Sequence, residues 1–230
     1  MSDSSVTPAA RVREPPAHNP ATVVRHIAQE IKQPLSTVES IAHYLDLVLP
    51  RTEAKARRQL GKLREEVRHI QWILADAIHF LQAAPPQLHP MDLTETVAEN
   101  FSEWCPEGRA GCTLLLEPGL PLVQLDLEMI QHLLRNIMSF FCRISAPGRS
   151  IAIQTRVAGG EVLLAITSGA LVFAPEDVEP LLEPFASRFP TGSGLALASA
   201  RRIAEAHGAR FEVTSEPPHS LTVVVAFPAA

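Results

Sequence analysis

The stretch VRHIAQEIKQPLSTVESIAHYLDLV, residues 24–48, places apolar or small side chains at alternating steps of three and four residues. This spacing aligns them along one side of an α-helix and is typical of the a and d positions of a coiled coil. The pattern therefore predicts one long helix with a continuous apolar seam. The seam comprises Val24, Ile27, Ile31, Pro34, Val38, Ile41, Leu45 and Val48.

A second seam follows the break at LPRTEA, residues 49–54, and predicts an antiparallel helical hairpin over residues 22–82. It comprises Ala56, Leu60, Leu63, Val67, Ile70, Leu74, Ala77 and Leu81. Two helices alone bury only a thin core, so we expect two hairpins to pair as a four-helix bundle in a dimer. The alternative is a hairpin docked on the rest of its own chain. The residues expected at the dimer interface are Val24, Ile27, Ile31, Val38, Leu60, Leu63, Val67 and Ile70.

The segments around the hairpin differ from it in composition. Residues 1–21 are rich in Ser, Pro and Arg without an apolar period, which predicts a disordered tail. Residues 83–91 contain a proline pair and are interpreted as a linker.

Residues 92–230 mix helical and strand patterns. Helices are predicted for Asp92 to Trp104, for Asp126 to Arg143, and from Gly194 to His207, where Gly208 can provide a left-handed cap. Strands are predicted for SIAIQTR, EVLLAIT, FEVTS and LTVVVAF, which are rich in β-branched residues. This order predicts an α+β chain whose C-terminal domain is a sandwich of one mostly antiparallel sheet with helices on one face.

Composition excludes several functions before any motif is considered. The 230 residues are 46% hydrophobic and 20% charged with a net charge of -5, which gives no reason to expect nucleic acid as a partner. The three cysteines, Cys105, Cys112 and Cys142, show no close paired spacing, so neither a disulfide nor a zinc site is expected. No apolar run suits a membrane span or a signal peptide. We therefore expect a cytoplasmic protein that has no membrane partner.

Four local motifs resemble those of the sensor histidine kinase core, in which a dimerising phosphoacceptor hairpin precedes an ATP-binding domain shared with gyrase, heat-shock protein 90 and MutL. The first is QEIKQPL, which is similar to the family's His-Glu-x-x-Gln-Pro-Leu subgroup except at its first residue. Gln29 stands where the resemblance implies the phosphoacceptor histidine, and Glu30 stands beside it. An amide nitrogen, unlike neutral imidazole, has no free lone pair to accept phosphate.

The second motif is the asparagine helix. In NIMSFFCRIS, Asn136 matches the family's first asparagine and Arg143 the basic residue, while Phe140 replaces the asparagine that binds Mg²⁺. A phenyl ring offers no oxygen to a hard cation. The resemblance thus implies a site that has lost its metal ligand, and no metal is expected.

The remaining motifs are two glycine loops. In AITSGALVF, Thr167 replaces the aspartate that binds adenine, Gly169 is retained and Leu171 replaces the second glycine. In TGSGLALASARR, Gly192 and Gly194 are retained at a helix start, a geometry that favours anions. The resemblance implies that a vestigial nucleotide site comprises Asn136, Arg143, Thr167, Gly169, Gly192 and Gly194.

These substitutions retain the positions that support the fold and remove those that would accept phosphate or bind metal and adenine. We interpret the chain as a histidine-kinase-like pseudokinase, a homodimer that regulates a receiver domain or an active kinase without a cofactor. Gln29, Arg57 and Arg58 are the predicted docking residues. One alternative is a phosphotransferase that uses His26, or less favourably His43 or His79 on the outward positions of the hairpin. The other is an active Mg-ATP-binding kinase with unusual ligands.

Overall fold

A computed structural model describes residues 20–50, 52–81, 85–104, 111–144, 150–169, 173–185, 194–216 and 220–229. Its first two elements are long helices, α1 (Pro20–Val48) and α2 (Ala54–Leu81), which pack side by side. Side chains near the turn and near the middle of both helices contact each other, so the helices run antiparallel as predicted. The predicted disordered tail lies outside the described residues, apart from its last two positions, which begin α1.

The α1 residues that close the hairpin are offset from the predicted seam, whereas the α2 residues belong to it. Ala28 and Ala42 on α1, together with Leu60 and Val67 on α2, are buried between the helices. The seam itself is largely exposed to solvent. Its exposed side chains have between 36% and 54% of their surface accessible, and they are Ile27, Ile31, Ile41, Leu45, Val48, Leu63 and Ile70. Of the residues predicted at the dimer interface, Leu60 and Val67 are thus already buried within one chain.

Arg57 fixes the turn between the two helices. Its guanidinium donates to Asp46 Oδ1 at 3.1 Å and to the carbonyl oxygens of Asp46 and Leu49 at 3.0 and 2.7 Å. These carbonyls lie at the end of α1, where no later backbone N–H is in place to satisfy them. Arg57 therefore acts as a cap for α1, which limits its availability for the partner docking predicted from sequence.

The C-terminal domain is built on a five-stranded sheet with the order β2-β4-β5-β7-β6. Its strands are β2 (Cys112–Leu116), β4 (Ile151–Ala158), β5 (Glu161–Ser168), β6 (Arg210–Glu216) and β7 (Ser220–Pro228). Only β2 and β4 pair in parallel; the other pairs are antiparallel. All four predicted strands are confirmed, and the sheet is mostly antiparallel as expected.

Helices α3 (Leu93–Trp104), α4 (Leu127–Ile144) and α6 (Ala196–Ala206) share one hydrophobic core with the sheet. Asp92 caps α3, because its Oδ1 accepts the backbone N–H of Thr94 at 2.7 Å and of Glu95 at 3.2 Å. Two short segments, α5 (Pro175–Val178) and a 3₁₀ turn (Glu179–Leu182), precede α6. Gly208 follows α6 with φ +69, as the predicted left-handed cap requires.

His207 ties the end of α6 to the start of α4. Its Nδ1 lies 2.7 Å from the Ile203 carbonyl and its Nε2 accepts the Asp126 N–H at 3.0 Å. Asp126 in turn accepts backbone N–H groups from Gln87 at 2.8 Å and Met129 at 3.2 Å. Burial raises the pKa of Asp126, but these hydrogen bonds and nearby His207 outweigh it, so the pKa is lowered. This junction fixes α4, which carries most of the site described below.

Two expectations need correction. The predicted linker contains the whole of strand β1 (His89–Met91), which pairs with β3 (Val123–Leu125) in a separate two-stranded sheet. Cys112 is disulfide-bonded, so the expectation of no disulfide is wrong. Among the described residues, no helix is long and apolar enough to cross a membrane.

Replacing Arg57 with alanine should lower the free energy of unfolding of the hairpin by about 1–2 kcal/mol, because three charge-assisted hydrogen bonds at the turn are lost. The neighbouring exposed Arg58 is the matched control, since Arg58→Ala removes the same charge and should change stability by less than about 0.5 kcal/mol. Urea denaturation followed by circular dichroism measures both. Equal losses in the two variants would contradict the capping role of Arg57.

Candidate functional site

The site predicted from the asparagine helix lies on α4, against which α2 packs. Asn136 is completely buried, and its Nδ2 donates to Asp76 Oδ1 of α2 at 2.8 Å. His132, one turn earlier on α4, places its Nε2 3.2 Å from the same carboxylate oxygen. Asp76 is only 1% exposed, so this carboxylate is removed from water and depends on the two α4 donors. The asparagine implied to bind nucleotide is thus engaged by the hairpin.

An aromatic cluster surrounds this polar contact. The His132 ring is 4.7 Å from the Trp72 ring and 4.3 Å from the His79 ring, measured between centroids. Burial, together with the proximity of His132, lowers the pKa of His79. The sequence placed His79 on an outward position, whereas the structure packs it between α2 and α4. It is therefore a poor candidate for a phosphate acceptor that must be visited by other proteins.

Two further contacts join the hairpin to the domain. The resemblance implies that Arg143 belongs to the nucleotide site. In the structure Arg143 contacts the imidazole of His69 on α2, and Arg143 Nη2 lies 2.7 Å from His69 Nε2. Burial and this guanidinium lower the pKa of His69. Arg202 of α6 donates to the Phe80 carbonyl, and its guanidinium lies 5.3 Å from the centre of the Phe80 ring. The hairpin therefore docks on its own chain, as one of the two sequence alternatives proposed, while its seam remains exposed.

Phe140 and Thr167 stand where the resemblance implies the magnesium and adenine residues, and both make structural contacts. Phe140 is 3% exposed and packs edge-on against Phe141, with 5.7 Å between ring centroids, as part of the hydrophobic core. Thr167 lies inside β5 and its hydroxyl is 3.0 Å from the Thr222 hydroxyl on β7. In the part of the chain that the structure describes, no group of three or more His, Cys, Asp or Glu side chains could hold a metal.

One atom at this site has no partner. Asn136 Oδ1 is buried without a hydrogen bond. It is one amide oxygen, whereas Mg²⁺ requires about six oxygen ligands in near-octahedral geometry. With Phe140 in place of the second asparagine, the described side chains do not fit a magnesium site of the kind the family resemblance implies.

The glycine positions are only partly described. Gly169 follows β5 and is exposed, and Gly194 precedes α6 with φ +69, a conformation that favours glycine. Gly192 and Leu171 lie outside the described residues. The backbone turn that starts α6 is retained at Gly194.

The acceptor-like surface of α1 is solvent-exposed, as the heptad position of Gln29 predicts. Glu30 is exposed, and its Oε1 lies 3.3 Å from Nε2 of His26, one turn earlier. Pro34 lies inside α1, which continues past it to Val48. Glu30 thus has a neighbour that carries a nucleophilic ring nitrogen.

Sequence reasoning missed Asp76 and His132. The signal was present, because Asp76 is the only charged residue within the apolar run WILADAIHF, residues 72–80. A lone carboxylate in such a run indicates a buried polar contact. Its partners could not be identified, since they lie 56 and 60 residues further along the chain.

Comparison with known proteins agrees with this architecture. Residues 125–230 match the family described as histidine kinase-, DNA gyrase B- and HSP90-like ATPase. Sensor histidine kinase ZraS of Klebsiella oxytoca is 23% identical, over 83% of this chain and 42% of ZraS. Alginate biosynthesis sensor protein KinB of Pseudomonas aeruginosa is 27% identical, over 72% of this chain and 29% of KinB. The chain thus spans less than half the length of these relatives.

Solved structures share the fold. Full-length ShkA, crystallised in complex with AMPPNP, superimposes with a TM-score of 0.68 at 22% identity, covering 90% of this chain and 46% of ShkA. Residues 125–230 are thus similar to the ATPase-type domain shared by histidine kinases, DNA gyrase B and HSP90. The chain as a whole is similar to sensor histidine kinases, with two N-terminal helices ahead of the matched domain.

Replacing Asp76 with alanine should destabilise the docked arrangement, because it leaves two buried donors on α4 without an acceptor, at about 1–3 kcal/mol for each. Asp76→Asn retains an oxygen acceptor of the same shape and should lose clearly less. Urea unfolding of both variants, followed by tryptophan fluorescence, measures the difference. If Asp76→Asn were as unstable as Asp76→Ala, the hydrogen bonds would not account for the contact.

Proposed function

We propose that this protein is a catalytically inactive histidine kinase homologue, a dimeric scaffold that regulates a receiver domain or an active kinase. The proposal rests chiefly on one observation, the commitment of Asn136 to Asp76. A nucleotide that used Asn136 would have to displace a buried carboxylate and leave it without this donor. Leaving a buried hydrogen-bonding group unsatisfied costs about 1–3 kcal/mol, and more for a charged group, which opposes nucleotide entry.

Three other positions support the same conclusion. Phe140 places a ring where the family has a metal ligand, and its burial with Phe141 makes it part of the core. Thr167 contacts Thr222 rather than offering the carboxylate that the resemblance implies for adenine. Gln29 is exposed at the acceptor position but carries an amide that cannot accept phosphate. We therefore expect no Mg-ATP requirement and no autophosphorylation.

Titration with Mg-ATP tests this proposal directly. Isothermal titration calorimetry of the full chain should give no binding heat at millimolar nucleotide, and the melting temperature should not move. A dissociation constant in the micromolar range, together with incorporation of γ-phosphate, would overturn the proposal. A histidine kinase with both asparagines and the acceptor histidine intact serves as the positive control.

Dimerisation is supported by the open seam. Ile27 and Ile31 are 48% and 36% exposed, and Leu63 and Ile70 on α2 are 42% and 40% exposed. Contiguous exposed apolar side chains on a soluble helical hairpin indicate an interaction surface. A second copy would cover them in a four-helix bundle of the kind the heptads predict. Leu60 and Val67 would then contribute to the hairpin core rather than to the interface.

Placing a charge in the seam should separate the dimer. Ile31→Glu buries an unpaired carboxylate at the interface and should weaken self-association at least tenfold, since such burial costs about 1–3 kcal/mol or more. His43→Glu is the matched control, because His43 is exposed on α1 outside the seam. Sedimentation equilibrium measures both variants. Identical association of Ile31→Glu and wild type would exclude the seam as the interface.

The docking surface for a receiver domain is expected near Gln29 and the early part of α2. Arg58 is exposed and suits contact with an acidic receiver surface. Arg57 is less suited, because its guanidinium caps α1. A receiver domain whose affinity was unchanged by Arg58→Glu would argue against this surface.

A specific observation favours phosphotransfer through His26 as a second candidate. Its exposed imidazole lies 3.3 Å from the Glu30 carboxylate, a base positioned to orient the ring and accept its proton. Incubation with a phosphorylated receiver should then place acid-labile phosphate on wild type and not on His26→Ala. Absence of label on wild type would eliminate this candidate.

The third candidate is an active kinase with unusual ligands. The observation that favours it is the buried Asn136 Oδ1, which has no hydrogen-bond partner, and the Mg-ATP titration decides it.

A further inference from the structure

A cleft of about 760 Å³ lies between the hairpin and α4. Lys32 and Ser36 of α1 form one side, Arg68 and Trp72 belong to α2, and Arg135 belongs to α4. Ligand pockets in proteins typically enclose about 300–1,000 Å³, so the cleft can hold a small organic molecule.

The cleft is positively charged in a protein that is acidic overall. Lys32, Arg68 and Arg135 line it, against a single carboxylate from Glu128. The whole chain has a net charge of -5, so this concentration of cations is local. Low-dielectric walls concentrate the field of such a cleft and attract anions into it.

Two of these cations keep their charge available. Within the described ranges, neither Lys32 nor Arg68 forms a salt bridge, and both side chains are exposed. They can therefore contact a ligand without first breaking an ion pair. Arg135 lies 5.4 Å from the centre of the Trp72 ring, and this cation–π contact holds its guanidinium against the wall of the cleft.

The inner wall offers rings and neutral polar groups. Trp72, His79 and the buried His132 line it, together with the hydroxyl of Ser139 and the amide of Gln131. Burial and the neighbouring His132 lower the pKa of His79, which favours the neutral ring. The wall is thus suited to the carbon skeleton of a ligand and to hydrogen bonds, while the cations at the exposed side suit its acidic groups.

The cleft is separate from the expected nucleotide site. Its lining residues on α4 are Glu128, Gln131, His132, Arg135 and Ser139, which lie beside Asn136 on the helix surface and do not include it. Arg143, Thr167, Gly169 and Gly194 do not line it either. A ligand here would consequently not require any of the motifs that the chain has lost.

We infer that this cleft binds a small organic anion that carries phosphate or carboxylate groups. Arg68 and Arg135 present planar guanidinium groups, which recognise both kinds of oxyanion through paired hydrogen bonds. Because the lining comes from α1, α2 and α4, the ligand contacts the hairpin and the ATPase-type domain at once. Its binding therefore stabilises their docked arrangement and gives the scaffold a signal that it can sense without nucleotide.

Isothermal titration calorimetry of the full chain with inorganic pyrophosphate and with citrate tests the inference. Both titrations should be run at low ionic strength, because salt screens exposed charges. We expect a dissociation constant below about 1 mM for at least one of the two probes. Binding of pyrophosphate alone would assign the site to phosphate compounds, and binding of citrate alone to carboxylates.

Arg68→Gln provides the decisive variant, since among the described residues Arg68 forms no ion pair that the substitution would break. It should weaken binding of the active probe at least tenfold, which is the loss expected for one charge-assisted contact of about 1.5 kcal/mol. Lys62→Gln removes an equally exposed cation from α2 outside the cleft and should leave affinity unchanged. Failure of both probes to bind, or equal losses in the two variants, would overturn the inference. If Mg-ATP gives heat by binding in the cleft, Arg68→Gln removes that heat, whereas binding at Asn136 is not affected by this variant.

Discussion

The buried carboxylate of Asp76 is the constraint on which the arrangement of this protein depends. A charge that is 1% exposed is tolerated only with hydrogen-bond partners, and α4 supplies them through His132 and Asn136. The contact fixes how α2 lies against α4. The aromatic cluster around Trp72 and the cation-lined cleft beside it both follow from that geometry.

Several positions that the family resemblance implies for nucleotide or metal have structural contacts in this fold. Asn136 and Arg143 now join the domain to the hairpin, and Phe140 fills the core. A side chain with a structural partner must lose that partner before it can bind nucleotide. The seam on α1, the glycine turn before α6 and the sheet are retained, because they serve packing rather than phosphate chemistry.

Much of the fold follows from local patterns. The heptads predict α1 and α2, the β-branched runs predict four strands, and Gly208 marks the end of α6, since each depends on residues close in sequence. The strand β1 was missed because a segment of three residues with a proline carries little signal. The role of Asp76, the capping by Arg57 and the inward position of His79 were also missed, since each depends on contacts between separate elements. The docking of the hairpin was left as one of two alternatives for the same reason.

Hydrogen–deuterium exchange of α2 and α4, with and without Mg-ATP, tests the central claim most directly, that the hairpin holds Asn136 in place of nucleotide. The account predicts strong protection of both helices around Asp76 and Asn136, with the same exchange rates when Mg-ATP is added. Faster exchange in α2 together with slower exchange in α4 on addition of Mg-ATP would contradict it, because nucleotide would then have displaced the hairpin from its site.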